Sequence, residues 1–253
     1  ASVVTLNPSA AQTMWEIGAR DSVVGVTKFA TYLEGADERT NVSGAGRTTV
    51  VVETVVGLQP DLVLVPNATH NLIPGKVQQL RDAGLTVYVF DEAGSLEDIA
   101  AKTQLTGRLV GACDGAAAAN AEMESELATV REAVAGQERP DVLVVLGPYG
   151  YTAGSGTFID TAVTTAGGVN VAADEGIQGY KPISNEGVVD RDPDWIVKPA
   201  GVSLPDSPAY NNSTAVQEGR VLTVDNNFVS QPAPQIVGPI VTMAKAFHPE
   251  AYA

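Results

Sequence analysis

From Asp114 to Ala135 the chain sets Ala116, Ala119, Met123, Leu127, Val130 and Val134 three and four residues apart. That spacing is one continuous apolar stripe on a helix. Glu122, Glu124, Ser125, Thr129, Arg131 and Glu132 cover the other side, Asp114 is placed to cap the start, and Gly136 and Pro140 stop it. Such a helix is about 33 Å long. A strand-and-helix alternation precedes it and another follows. It therefore reads as a strut joining two lobes, residues 1–112 and 137–253, with the strut at 113–136, rather than as one more helix of a larger domain.

The first lobe opens on the strand Val3–Leu6, and Ser9 and Gln12 in capping-box spacing start a helix from Ala10 to Gly18. Val23–Val26 is a second strand, and 27–48 is loop. Leu62–Val65 and Thr86–Phe90 are strands, with Leu72–Ala83 and a Ser95-capped segment reaching Val110 as helices. Beyond the strut, Asp141–Leu146, Trp195–Lys198 and Val221–Val224 read as strands. Thr157–Ala166 and Gln235–Phe247 read as helices, while Gly147–Gly156 and Gly201–Gly219 read as loops. The expectation is an α/β chain of two lobes, each a mostly parallel sheet flanked by helices.

The stretch Glu53-Thr-Val-Val-Gly-Leu-Gln-Pro-Asp-Leu-Val-Leu aligns with Glu186-Gly-Val-Val-Asp-Arg-Asp-Pro-Asp-Trp-Ile-Val. Glu, both valines, Pro and Asp recur at the same offsets, and Pro-Asp leads into an apolar strand in each copy. An internal repeat on opposite sides of the strut points to two lobes of one design.

Thirty acidic residues against fifteen basic ones leave a net charge of −15, which repels nucleic acid. A carboxylate-rich, Lys-poor surface suits high salt. No apolar run is long enough for a membrane span. The start at Ala1 reads as that of a trimmed chain, and Asn-x-Ser/Thr sites at Asn41, Asn67, Asn211 and Asn212 are compatible with export. The single Cys113 allows no internal disulfide and reads as a buried, inert thiol.

Catalytic and metal signatures are missing from the sequence. With His70 and His248 as the only histidines, no dedicated metal site is expected. Gly154-Ser155-Gly156 is no nucleophile elbow, and the 147–156 loop is neither a Walker A nor a dinucleotide fingerprint. His70 follows a strand at the end where ligands gather in parallel sheets. It is the candidate for coordinating a ligand metal, set against the simpler reading of a solvated loop histidine. Phe29, Tyr32, Tyr149, Tyr151, Tyr180 and Phe228 all fall in expected loops. Together they suggest a cleft between the lobes for a large, planar, partly apolar ligand.

Leu6-Asn7-Pro8-Ser9, the Glu53-to-Asp61 stretch with Leu62-Val63-Leu64, Gly84-Leu85-Thr86-Val87 and Gly154–Asn170 resemble the substrate-binding proteins of ABC importers whose lobes are joined by one helix. The likeness spans nearly the whole chain and is greatest to the cobalamin-binding branch. The resemblance implies that Val50–Val56, a strand by propensity, is helical. It also implies an extracytoplasmic monomer, anchored upstream by a lipid, that takes cobalamin as transported ligand, needs no cofactor and performs no catalysis. Its partner would be a dimeric membrane permease. By position, Tyr32 and Tyr151 match the family's ligand aromatics, and Tyr180 stands where that branch has a tryptophan. A second tryptophan, expected after Val42-Ser43, is replaced by Ala45 or Gly46. Glu53 and Glu186 match the glutamates that dock the carrier on its transporter.

An iron-siderophore or haem carrier of the same class is the alternative. Anionic catecholates call for convergent cations, for which Lys28, Arg47 and Lys181 are available. An enzyme on the same two-lobed architecture is the third reading.

Overall fold

In a computed structural model, residues 1–44, 50–225 and 231–252 are described, and the chain divides into two compact units. The first comprises Ala1–Glu92 and Ile99–Ala121, the second Ala93–Asp98 and Glu122–Ala253.

The first unit runs β1 (Val3–Thr5), α1 (Pro8–Glu16), β2 (Val23–Val26), β3 (Thr40–Asn41), α2 (Val52–Gly57), β4 (Leu62–Pro66), α3 (Asn67–Leu72), α4 (Pro74–Asp82) and β5 (Val87–Phe90), then α5 (Leu96–Val110) from Ile99 onward. Its strands form a parallel sheet in the order β3-β2-β1-β4-β5. Alternation along β1 and β4 sends Val3, Leu62 and Leu64 to a core with Met14 and Ile17 of α1. It sends Val4, Val63 and Val65 to a second core with Val55, Val77 and Leu80. A sheet covered on both faces explains the unbroken apolar runs of its strands.

The helix α6 (Cys113–Val134) confirms the apolar stripe: Ala116, Met123, Leu127 and Val130 are all buried. The division between the units falls within it, after Ala121. Its first turn is Gly- and Ala-rich for a steric reason. A Cβ on Gly115 would lie 2.0 Å from the carbonyl oxygen of Ile17, at the end of α1. Backbone on both sides leaves nothing flexible to yield. Gly115→Ala should therefore cost about 3 kcal/mol or more, at the upper end of overpacking penalties, read as a lowered midpoint in denaturant unfolding; an unchanged midpoint would show that this helix crossing is not tight.

The second unit contains β6 (Asp141–Val144), β7 (Tyr151–Ala153), α7 (Phe158–Thr165), β8 (Val169–Asn170), α8 (Val171–Asp174), β9 (Tyr180–Pro182) and α9 (Asn185–Arg191). There follow β10 (Trp195–Pro199), α10 (Pro208–Asn211), α11 (Thr214–Gln217), β11 (Val221–Val224) and α12 (Val237–Phe247). The sheet order is β11-β10-β6-β8, parallel throughout, and β7 and β9 form a separate antiparallel ribbon.

The repeat has a structural basis. The order β2-β1-β4-β5 in the first unit matches β8-β6-β10-β11 in the second. Asp61 accepts from the Ser2 amide beside β1 at 2.7 Å, and Asp194 accepts from the Asp141 amide at the start of β6 at 2.9 Å. The bonds from the Ser2 amide and hydroxyl hold the Asp61 carboxyl below the usual carboxylate range. Gln59 and Asp192, at equivalent positions before the shared proline, both adopt positive φ, at 46° and 38°. Conformations costly for non-glycine residues thus recur at the same offset.

Several local expectations are corrected. The cap of α1 is Asn7, whose side chain accepts from Ser9, rather than Ser9 itself. The helix expected over Leu72–Ala83 is α4, and a further helix that the sequence reading lacked, α3, precedes it and ends at Leu72 before Pro74 starts α4. The loop 147–156 holds β7, and 201–219 holds α10 and α11, elements too short to show a period. Tyr151 and Tyr180 accordingly lie in strands rather than loops. Cys113, at the first residue of α6, is exposed, not buried.

Candidate ligand-binding site

In the first unit the chain leaves four neighbouring parallel strands around a cavity of about 160 Å³. Leu6, Asn7 and Pro8 follow β1, Thr27 and Phe29 follow β2, Ser43 follows β3, and Ala68, Thr69 and Leu72 belong to α3 after β4. Ligands collect at carboxyl ends of parallel strands because the chain must leave the sheet there in loops and helix starts. Asn7 is held by its cap bond to Ser9 at 2.7 Å and donates to Thr69 Oγ1 at 3.4 Å. Thr27 lines the cavity with its hydroxyl buried and unpartnered. The volume suits one arm of a ligand rather than a whole macrocycle.

The loop after β2 carries the exposed aromatics. The Lys28 ammonium sits 5.3 Å from the centre of the Phe29 ring. Tyr32 donates its hydroxyl proton to Gln12 Oε1 at 3.0 Å, and Trp15 pins the same loop by donating to the Glu34 carbonyl at 2.9 Å. Beneath them lies a polar network that sequence reading missed, although Ser9, Gln12 and Glu16 recur at helical spacing on α1. Gln12 donates to Glu16 Oε1 at 2.7 Å, and Lys102 of α5 donates to Ser9 Oγ at 2.9 Å. Burial pushes the Lys102 ammonium down to about 8, against the opposing pull of the Glu16 carboxylate. Between about 8 and the ordinary lysine value the unfolded chain holds this proton and the folded one does not, so stability rises with pH there. A gain of about 2 kcal/mol in unfolding free energy from roughly pH 8 to pH 10 is expected, and Lys102→Met should flatten it; a flat wild-type profile would contradict the buried charge.

In the second unit a concavity of about 590 Å³ is lined by Tyr149, Ile183, Asn185 and the 203–207 segment. Tyr149 has φ of 61° and is 87% exposed, an aromatic held outward on a strained backbone. Gly150 follows at φ 68° and packs so closely on the buried Tyr210 that a Cβ would lie 2.7 Å from its hydroxyl. Burial pushes that hydroxyl up to about 12. The β7–β9 register sets Tyr151 opposite Pro182 and Tyr180 opposite Ala153. Tyr151 and Tyr180 therefore share one face of the ribbon as diagonal neighbours, roughly 7–8 Å apart. Lys181 falls on the other face.

Tyr32, Tyr151 and Tyr180 are 43%, 42% and 37% exposed, and Phe29 is exposed too, unlike core aromatics such as Tyr210. His70 lies on α3 with Nδ1 buried and without a hydrogen-bond partner. Its neighbours Ala68, Thr69 and Leu72 line the cavity, and it does not. Arg47 and Phe228, as well as Ala45 and Gly46, lie outside the described residues. Among the described residues no cluster of His, Cys, Asp and Glu could hold a metal ion, and no helix is long and apolar enough to cross a membrane. Glu53 and Glu186 are exposed in the first turns of α2 and α9, with the repeat's Val55 and Val188 buried two residues on. The expected helix at Val50–Val56 is thus present as α2 despite its β-branched run.

The chain matches the periplasmic binding protein family over residues 3–228. It is 47% identical to the "Cobalamin-binding protein" of Halobacterium salinarum, covering 97% of this chain and 69% of that one. It is 29% identical to the ABC transporter substrate-binding lipoprotein YvrC of Bacillus subtilis, covering 99% and 81%. Among solved structures it resembles the periplasmic heme-binding protein RhuT of Roseiflexus sp. RS-1, with a TM-score of 0.85, 26% identity, and coverage of 99% and 98%. With a family match across most of its length and a relative this similar over nearly all of it, the chain belongs to the periplasmic binding protein family.

Proposed function

We propose that the protein captures cobalamin outside the cytoplasm and delivers it to a membrane ABC importer. The observation that carries this reading is the 47% identity, over 97% of the chain, to a protein named for cobalamin binding. The exposed aromatics support it: Phe29 and Tyr32 in the first unit, and Tyr149, Tyr151 and Tyr180 in the second, offer flat faces to a conjugated ring. Phe228 and Arg47 belong to the same proposed set. The Bacillus relative, named a substrate-binding lipoprotein of an ABC transporter, supports an importer partner and an anchor to the membrane surface. Glu53 and Glu186 are the proposed docking residues, with α6 as the connecting segment and a monomer as the working form. The named relatives are binding proteins, and the carrier is proposed to release its ligand chemically unchanged. The surplus of carboxylates is that of a protein kept solvated in brine.

The heme-binding neighbour, at 26% identity, favours haem as second reading. A ligand that binds only the folded chain raises its unfolding free energy, by about 2.7 kcal/mol at a hundred times the dissociation constant. Cyanocobalamin is expected to give such a shift in thermal unfolding. A shift with haemin and none with cyanocobalamin would transfer the site to a haem.

A further inference from the structure

We infer that the cavity of the first unit is a subsite for one propionamide arm of the ligand, and that the hydroxyls of Thr27, Ser43 and Thr69 grip the oxygen at its tip. The inference rests on the reading of the protein as a cobalamin carrier and says how the first unit takes hold of that cargo.

The three hydroxyls come from three places in the chain, after β2, after β3 and within α3, and their residues line the same space of about 160 Å³. A hydroxyl has one proton and two lone pairs. Ser43 Oγ accepts from the Lys28 amide at 2.8 Å. Thr69 Oγ1 accepts from Asn7 Nδ2 at 3.4 Å, and Asn7 is itself held by the Ser9 amide at 2.7 Å. Among the described residues neither hydroxyl donates, so each is oriented by what it accepts and keeps its proton. Thr27 is 5% exposed, and its hydroxyl is buried with no partner.

A buried hydroxyl without a partner lowers stability, and native structures rarely keep one without a reason. The cavity supplies the reason. Its apolar walls, Leu6, Pro8 and Leu72 among them, suit the methylenes of an arm. Three uncommitted protons suit the carbonyl oxygen that ends it. A volume of this size has room for a few water molecules or one such arm, and not for a macrocycle. The peripheral arms of cobalamin end largely in carboxamides, and the propionamides reach further from the ring than the acetamides.

The test uses cyanocobalamin and its three butylamides, each lengthened by a butyl group at the tip of a different propionamide arm. They are titrated into the wild type, Ser43→Ala, Thr69→Val, Thr27→Val and Ala68→Phe. A lengthened tip is too bulky for the cavity. One butylamide is therefore expected to bind the wild type on the order of tenfold more weakly than cyanocobalamin, and the other two about equally well. Each loss of a hydroxyl should weaken cyanocobalamin by about three- to tenfold and leave that one butylamide where it was, so that the ratio closes. Thr27→Val should also raise the denaturation midpoint, because a methyl replaces a hydroxyl that has no partner. Ala68→Phe, at an exposed position lining the cavity, should plug it and close the ratio in the same way. It keeps the test open should the other variants fold poorly. Hydroxyls with a merely structural role would lower the midpoint when removed and leave the ratio alone. Equal binding of the three butylamides by the wild type, or a ratio that no folded variant moves, would overturn the proposal. A wild type that does not bind cyanocobalamin at all would instead overturn the reading of the cargo on which it rests.

Discussion

Reversing Glu53 and Glu186 together to Lys is expected to collapse delivery to the importer, by well over tenfold in uptake, while leaving ligand affinity where it was. Each carboxylate stands exposed in the first turn of its helix, α2 or α9, and each helix is anchored by a buried valine two residues on, Val55 or Val188. A dimeric permease presents the same surface twice, and a repeat presents the same carboxylate twice. Reversing a charge at an interface replaces attraction with repulsion, worth about 2–5 kcal/mol where the pair is buried on docking. High salt weakens long-range steering, so the loss should appear in the docked complex more than in the rate of encounter. Uptake that survives the double reversal would reduce the pair to surface residues that mark only the fold.

Those glutamates also show what the sequence made legible. The recurrence of Glu, Val-Val and Pro-Asp could be read directly, because each residue has a distinct physical task. The first valine of each pair, Val55 or Val188, fills a core, the proline follows a left-handed residue, and the aspartate ties two strands together. The stripe on α6 was legible because twenty-two residues of helix give its period room to show. The ribbon that pairs Tyr151 and Tyr180 was not. Its strands are three residues long, and their partnership across the intervening α7 and α8 leaves no local pattern. The Gln12–Glu16–Lys102 network was hidden for a different reason. Polar residues on one helix announce a solvated face, and only the packing of α5 shows that this face is turned inward. The Cys113 expectation failed because the helix begins with that residue at the surface, beside the charged Asp114.

Replacing Tyr32, Tyr151 and Tyr180 together by Ala is expected to weaken cyanocobalamin binding by about a hundredfold or more, since each stacked ring contributes roughly 0.5–1.5 kcal/mol beyond the area it covers. The fold should hardly notice, because each ring is more than a third exposed and lies outside the cores. Tyr180→Ala alone should account for about tenfold, its lost burial added to its lost stacking. Calorimetry on the single and triple variants, with a parallel denaturant melt, separates the two quantities. Unchanged affinity in the triple variant would remove these tyrosines from the site, and an early melt would show that they hold the loops instead.

Cobalamin as cargo is the claim on which the rest depends, and one comparison reaches it directly: calorimetric titration of the purified protein in strong brine with cyanocobalamin, haemin and a ferric catecholate siderophore. Cyanocobalamin should bind at one per chain, at least tenfold more tightly than either competitor, about 1.4 kcal/mol or more in binding free energy. Tighter binding of haemin or the siderophore, or no heat with any of the three, would contradict it.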